Sequence, residues 1–190
     1  MKVNLYVDMD GTLYRFHDDI LDEEGQVQIE KMYEVDFFLK LKPFENLVDT
    51  INRLHENNSV EIYFLSAVSD EYIEEDKKAV LRRDFPWVDV DHMLFPYCGC
   101  NKAEFVELFQ ERELENTDIL LDDYNQNLEQ WLDHNGTSIK FVNNINHKGI
   151  GLYGGDKGNI WEKELVRYDD LNLYESISKT IRELSKEKER

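Results

Sequence analysis

The chain has 190 residues, 41% of them hydrophobic, which suffices for one well-buried core with a small appendage. Its 22 Lys and Arg stand against 41 Asp and Glu, for a formal charge of -19 and a pI near 4.6. That balance argues against a nucleic-acid polymer as partner, because polymer binding rests on many phosphate contacts from basic side chains, although a small anion can still be held where a local site is positive.

No apolar run approaches the ~20 residues that span a bilayer, and the amino terminus lacks the basic and apolar segments of a signal peptide. No membrane partner and a cytoplasmic location are therefore expected. The only cysteines, Cys98 and Cys100, flank Gly99. They are too few for a zinc site and awkwardly close for an ordinary disulfide, so they read as loop thiols.

In chain order, an apolar, β-prone run over residues 3–7 ends abruptly in Asp8, Met9, Asp10, Gly11 and Thr12. A buried strand that delivers two carboxylates one residue apart to a sheet edge sets like charges side by side. They resist joint ionisation unless a cation or proton lies between them. Asp-Gly after a strand is also a common turn, so this stretch gains meaning only from partners farther along the chain.

Residues 14–43 break the pattern, alternating aromatic and acidic side chains before Phe37 and Phe38, and read as an insertion outside the core. Phe44, Leu47, Val48, Ile51 and Leu54 then recur at helical spacing, and residues 60–65 form a second buried strand ending at Ser66. A polar helix over 70–83 stops before Pro86, and a third strand is expected around 92–95. Asn101, three residues before Glu104, predicts an N-cap that places Lys102 in the first turn of the next helix.

A fourth strand over 118–121 closes on Asp122 and Asp123. Leu128, Trp131 and Leu132 mark a helix, Asn135-Gly136 a turn, and residues 138–142 a fifth strand. Residues 143–159 are rich in Asn and Gly, and 171–190 read as a charged terminal helix. Gly149, Gly151 and Gly154 match a dinucleotide fingerprint by letter only, since no apolar-faced helix comes after them. Alternating strands and helices of this length predict an α/β, Rossmann-like, doubly wound parallel sheet of five strands.

Asp8 with Asp10, Ser66, Lys102, and Asp122 with Asp123 thus fall at strand carboxyl ends or a helix amino terminus, where open α/β sheets keep their ligand crevice. Taken singly, each is an ordinary turn, cap or surface residue. In order and spacing they resemble the four motifs of the haloacid dehalogenase-like (HAD) phosphohydrolases. Within that superfamily the stretches 120–124, 128–131 and 139–143 look most like the 5′(3′)-deoxyribonucleotidases and their bacterial and phage-type relatives.

The resemblance implies a core of residues 1–13 and 44–190 with a small helical cap at 14–43. It further implies a Mg²⁺-dependent phosphomonoesterase for nucleoside, most of all deoxyribonucleoside, monophosphates. A sugar phosphate or other small metabolite is the alternative substrate, and a non-catalytic anion binder is a third reading. Carried over, Asp8 is the nucleophile and Asp10 the acid-base. Mg²⁺ is held by Asp8, Asp10 through its carbonyl, and the Asp122-Asp123 pair, with the direct ligand of the two left open. Ser66, Lys102, Gly11 and Thr12 hold the phosphate, and Phe16, Phe37 and Phe38 are the cap residues that could select a base. Asp8 is then expected on a central strand, flanked by those ending at Ser66 and Asp122.

Overall fold

The computed structural model describes residues 3–57, 60–146, 161 and 163–187. Six strands among them form one all-parallel sheet: β1 (Val3–Val7), β2 (Val60–Leu65), β3 (Met93–Leu94), β4 (Asp118–Asp122), β5 (Thr137–Val142) and β6 (Leu165–Arg167). Their order is β3-β2-β1-β4-β5-β6. The chain winds outward from β1 in one direction and then returns to start the other half at β4. The switch point between β1 and β4 is where such sheets open a crevice beyond their carboxyl ends.

The helices are α1 (Phe16–Ile20), α2 (Phe37–Lys40), α3 (Glu45–Glu56), α4 (Glu71–Asp84), α5 (Lys102–Gln110), α6 (Asn125–Asp133) and α7 (Leu173–Glu187). Side chains alternate across β1, so its residues serve two cores. Leu5 and Val7 pack with Leu47 and Ile51 of α3 and with Ile177 and Ile181 of α7. Tyr6 packs with Val106 of α5 and with Leu128 and Trp131 of α6. The sheet is therefore covered on both faces, which is why its strands read as nearly continuous apolar runs. Each large aliphatic side chain so buried stabilises the fold by roughly 1.5–3 kcal/mol.

Caps set the helix starts that matter for the site. Asp70 accepts from the amides of Tyr72 and Ile73, both at 3.0 Å, and starts α4. Asn101 accepts from the amide of Ala103 at 2.9 Å and starts α5, as its sequence context predicts.

Two strands differ from expectation. β3 is only two residues long because it pairs with β2 alone, at the sheet edge. β6 adds a sixth strand where five are expected; with Val166 alone buried in a three-residue segment, it offers no periodicity to read.

Residues 14–43 form an insertion pinched at its base, where Tyr14 bridges Pro43 and the Arg15 amide donates to the Lys42 carbonyl at 2.8 Å. Besides α1 and α2 it carries a 3-10 turn at Ile29–Tyr33. Phe16, Phe37 and Phe38 are its interior, with ring centroids 5.1–6.2 Å apart. The glycine-rich stretch at 149–154 lies outside the described residues.

Candidate active site

Val7 pairs with Phe64 of β2 on one side and Leu121 of β4 on the other, so the residues just past these strands converge. Asp8 leaves β1 with its amide still bonded to the Leu121 carbonyl at 2.9 Å. The chain then reverses at Gly11, whose φ of +85° lies in the left-handed region. A Cβ at Gly11 would lie 2.4 Å from Asp123 Oδ2, so both backbone angle and space require glycine.

Asp122 ends β4, fully buried, and three donors fix it. The Tyr124 amide reaches Oδ1 at 2.8 Å, while Lys102 Nζ and Asn127 Nδ2 reach Oδ2 at 2.7 and 3.0 Å. Lys102, in the first turn of α5 and also buried, donates from the same Nζ to Asp8 Oδ1 at 2.6 Å. Burial works against its charge, but Asp122 and Asp8 outweigh that and raise its pKa. Burial pushes the Asp8 carboxyl up to about 7; Lys102 opposes the rise, and Asp122 and Asp10 add to it.

Oxygens of Asp8, Asp122 and Asp123 all lie within 4.8 Å of one another. Three hard oxygen donors that close together suit Mg²⁺ or a similar hard divalent cation, and neither thiolate nor imidazole is among them. Among the described residues, the carboxylates of Asp8 and Asp122 meet the Lys102 ammonium and that of Asp10 meets Lys77, while Asp123 adds a fourth carboxylate to the cluster.

Asp10 stands apart from that triad. Its Oδ2 accepts from Lys77 Nζ at 2.6 Å, and its Oδ1 is buried with no hydrogen-bond partner among the described residues. Lys77, on α4 and 1% exposed, also donates to Ser66 Oγ at 2.9 Å and to the Ala67 carbonyl at 2.7 Å. Because Ser66 Oγ accepts here, its own proton is left to point elsewhere. Lys77 is not among the residues that the motif spacing singles out. The signal that could have found it is its place on the Ile73, Val80 and Leu81 face of α4, a lysine where an apolar residue belongs.

Asn143 is a second site residue that motif spacing does not reveal. Just beyond β5, its Nδ2 donates to the Gly11 carbonyl at 2.8 Å and to Asp123 Oδ2 at 2.9 Å. Its Oδ1 accepts from the amides of Ile145 and Asn146 at 2.9 and 2.7 Å, which holds the amide in that orientation.

A cavity of about 260 Å³ opens over this floor and is lined by Asp8, Asp10, Ser66, Lys102, Asp122 and Asp123. The insertion contributes Phe16 and His17 to its wall, the turn before α5 contributes Gly99 and Cys100, and the start of α6 contributes Tyr124, Gln126, Asn127 and Gln130. All three phenylalanines singled out for substrate selection are buried, Phe16 at 7%, Phe37 at 8% and Phe38 at 2% exposed, and of the three Phe16 alone contributes to this cavity's wall. Gly11 and Thr12 shape the loop beneath rather than the cavity wall, with Thr12 fully buried.

No protein-family model and no curated protein matches the chain.

Proposed function

We propose that this protein is a divalent-metal-dependent phosphomonoesterase that works through an aspartyl-phosphate. The observation that carries the proposal is the cluster of Asp8, Asp122 and Asp123 at the sheet's switch point, with Lys102 bridging Asp8 and Asp122. Asp8, Asp122 and Asp123 would hold Mg²⁺, which when bound offsets charge on the phosphate as an anionic nucleophile approaches.

The chain's own groups supply the rest. A carboxylate oxygen of Asp8 attacks phosphorus in line, and the P–O bond to the leaving group breaks. Asp10, with Oδ2 held by Lys77 and Oδ1 without a partner among the described residues, gives its proton to the departing alkoxide. The same carboxylate then takes a proton from water, which attacks the phosphorus, frees phosphate and restores Asp8. Lys102 and the Ser66 hydroxyl bind phosphate oxygens.

Nucleoside monophosphates, deoxy forms foremost, are the substrates we infer, with residues 14–43 acting as the cap that admits them. Phe16 supports this reading as the phenyl ring that the insertion sets on the cavity wall. The burial of all three rings, Phe16 included, favours a second reading, a sugar phosphate or other small metabolite that needs no stacking surface.

Phosphate release from p-nitrophenyl phosphate and from a panel of nucleotides and sugar phosphates, with Mg²⁺ and with chelator, tests both. The expected result is Mg²⁺-dependent release that Asp8→Asn abolishes. Near-normal turnover by that variant would overturn the nucleophile assignment. Phe16→Ala should lower nucleotide kcat/KM by about tenfold or more, since stacking contributes on the order of 1–3 kcal/mol, and should spare p-nitrophenyl phosphate. Equal loss on both substrates would favour the second reading.

A further inference from the structure

The proposed chemistry leaves two nucleophilic side chains unused, and they lie beside the residue that binds the site together. Cys98 and Cys100 are both exposed free thiols. The Cys100 amide donates to the Tyr97 carbonyl at 3.0 Å, which closes a turn over Tyr97, Cys98, Gly99 and Cys100. Gly99 takes a φ of +89°, although a Cβ there would meet nothing within 4 Å. Glycine is thus required by the backbone angle and not by crowding.

The turn is fastened to the site at both ends. On one side Tyr97 bridges Val68, the Cys98 amide donates to the Val68 carbonyl at 2.9 Å, and the Val68 amide donates to the Pro96 carbonyl at 2.9 Å. Val68 is two residues past Ser66. On the other side Cys100 precedes the N-cap Asn101, and Lys102 comes next with its bonds to Asp8 and Asp122. Cys100 and Gly99 themselves form part of the cavity wall.

We propose that Cys98 and Cys100 form a reversible dithiol/disulfide site whose oxidation displaces the start of α5, and with it Lys102, from the carboxylate cluster. Residues two apart in a tight turn have Cα atoms about 5–6 Å apart, inside the range a disulfide spans. The ring so closed is small and strained, and strained, exposed disulfides are the readily reduced, regulatory kind. The reaction is thiol–disulfide exchange with a low-molecular-weight disulfide such as oxidised glutathione. One thiolate attacks a glutathione sulfur and releases one glutathione thiol; the second cysteine then attacks the mixed disulfide and releases the other. The protein loses two electrons and two protons, and the glutathione disulfide gains both.

The effect on the site depends on where the strain is relieved. Cys98 is anchored to the loop after Ser66, so the closing ring draws Cys100 toward it, and Asn101 moves with its neighbour. The ammonium of Lys102 sits 2.6 and 2.7 Å from its two partners, distances that a small shift of the helix start breaks.

The test exposes the reduced full-length protein to glutathione buffers of graded potential. Intact mass reports the chemistry, and backbone amide resonances report the structure. The expected result is an internal disulfide, seen as loss of two hydrogens and reversed by dithiothreitol. Resonances of Ala103, Asp8 and Asp123 should move with it. Phosphate release should fall by about tenfold or more, the scale set by small misplacements of catalytic groups. Cys98→Ser should keep the basal rate and give only a glutathione adduct. Adducts without an internal disulfide in the unmodified chain, or resonance changes confined to residues 97–100, would overturn the proposal. If the reduced protein releases no phosphate from any monoester, the phosphatase reading fails, while mass and resonances still decide this one.

Discussion

His17 shows how strongly single residues in this site depend on exclusion of water. It is 4% exposed at the start of the insertion, and burial lowers its pKa from 6.5 to about 4 against the opposing pull of Asp10 and Asp18. The folded imidazole therefore stays neutral where the unfolded one takes up a proton. As pH falls from about 6.5 to about 4 the unfolded chain binds more protons, and stability drops by an amount on the order of a few kcal/mol. Urea unfolding at pH 7 and pH 5 should give a smaller loss for His17→Gln than for the parent chain. An equal loss would mean that the ring is solvated. At the same scale the positions of Asp8, Asp10 and the Asp122-Asp123 pair at strand ends were legible, because each directly follows an apolar run. The contacts of Lys77 and Asn143 were not, because the groups they hold lie far away along the chain and only folding brings them near.

Among the elements, α4 does more than cover the sheet. Its face carries Ile73, Val80 and Leu81 into the core and sets Lys77 among them, so that packing fixes where the ammonium lies. Lys77→Met should preserve the apolar contact and remove three donated hydrogen bonds, leaving Asp10 and Ser66 without their common anchor. If the proposed reaction is right, kcat in steady-state kinetics should fall by about ten- to a hundredfold with a smaller change in KM, the pattern of a group that orients the proposed acid-base Asp10. A rise in KM alone would place Lys77 in substrate binding. Lys77→Arg should rescue poorly, because a planar fork does not fit three acceptors arranged around one nitrogen. Residues 14–43 depart from the strand-and-helix pattern in sequence, but which of their rings reach the cavity was not legible there. Phe16, Phe37 and Phe38 have the same chemistry, and only their mutual packing separates one that lines the cavity from two that do not.

For the whole molecule, a cation held by the proposed Asp8, Asp122 and Asp123 cluster would couple its binding to stability. A ligand bound only by the folded state adds about 2.7 kcal/mol at a hundred times its Kd, or roughly 5–10 °C in Tm for a chain of this size. Thermal melts should shift upward by about that much with Mg²⁺ and return with chelator, and Asp123→Asn should remove most of the shift. No shift in the parent chain would argue against a metal at this site. The amino-acid sequence by itself determined the α/β class and the N-cap that sets Lys102 in the first turn of α5. Those features are local in origin, for they arise from runs of buried residues and from caps that bond to amides two or three residues on. Tertiary structure alone decided the sixth strand, the two-residue β3, the grip of Lys77 on Asp10, the clamp of Asn143 on Asp123, and the removal of Phe37 and Phe38 from the cavity. Each is a pairing between segments distant in sequence, and periodicity along a chain holds no information about which distant residue a side chain will meet.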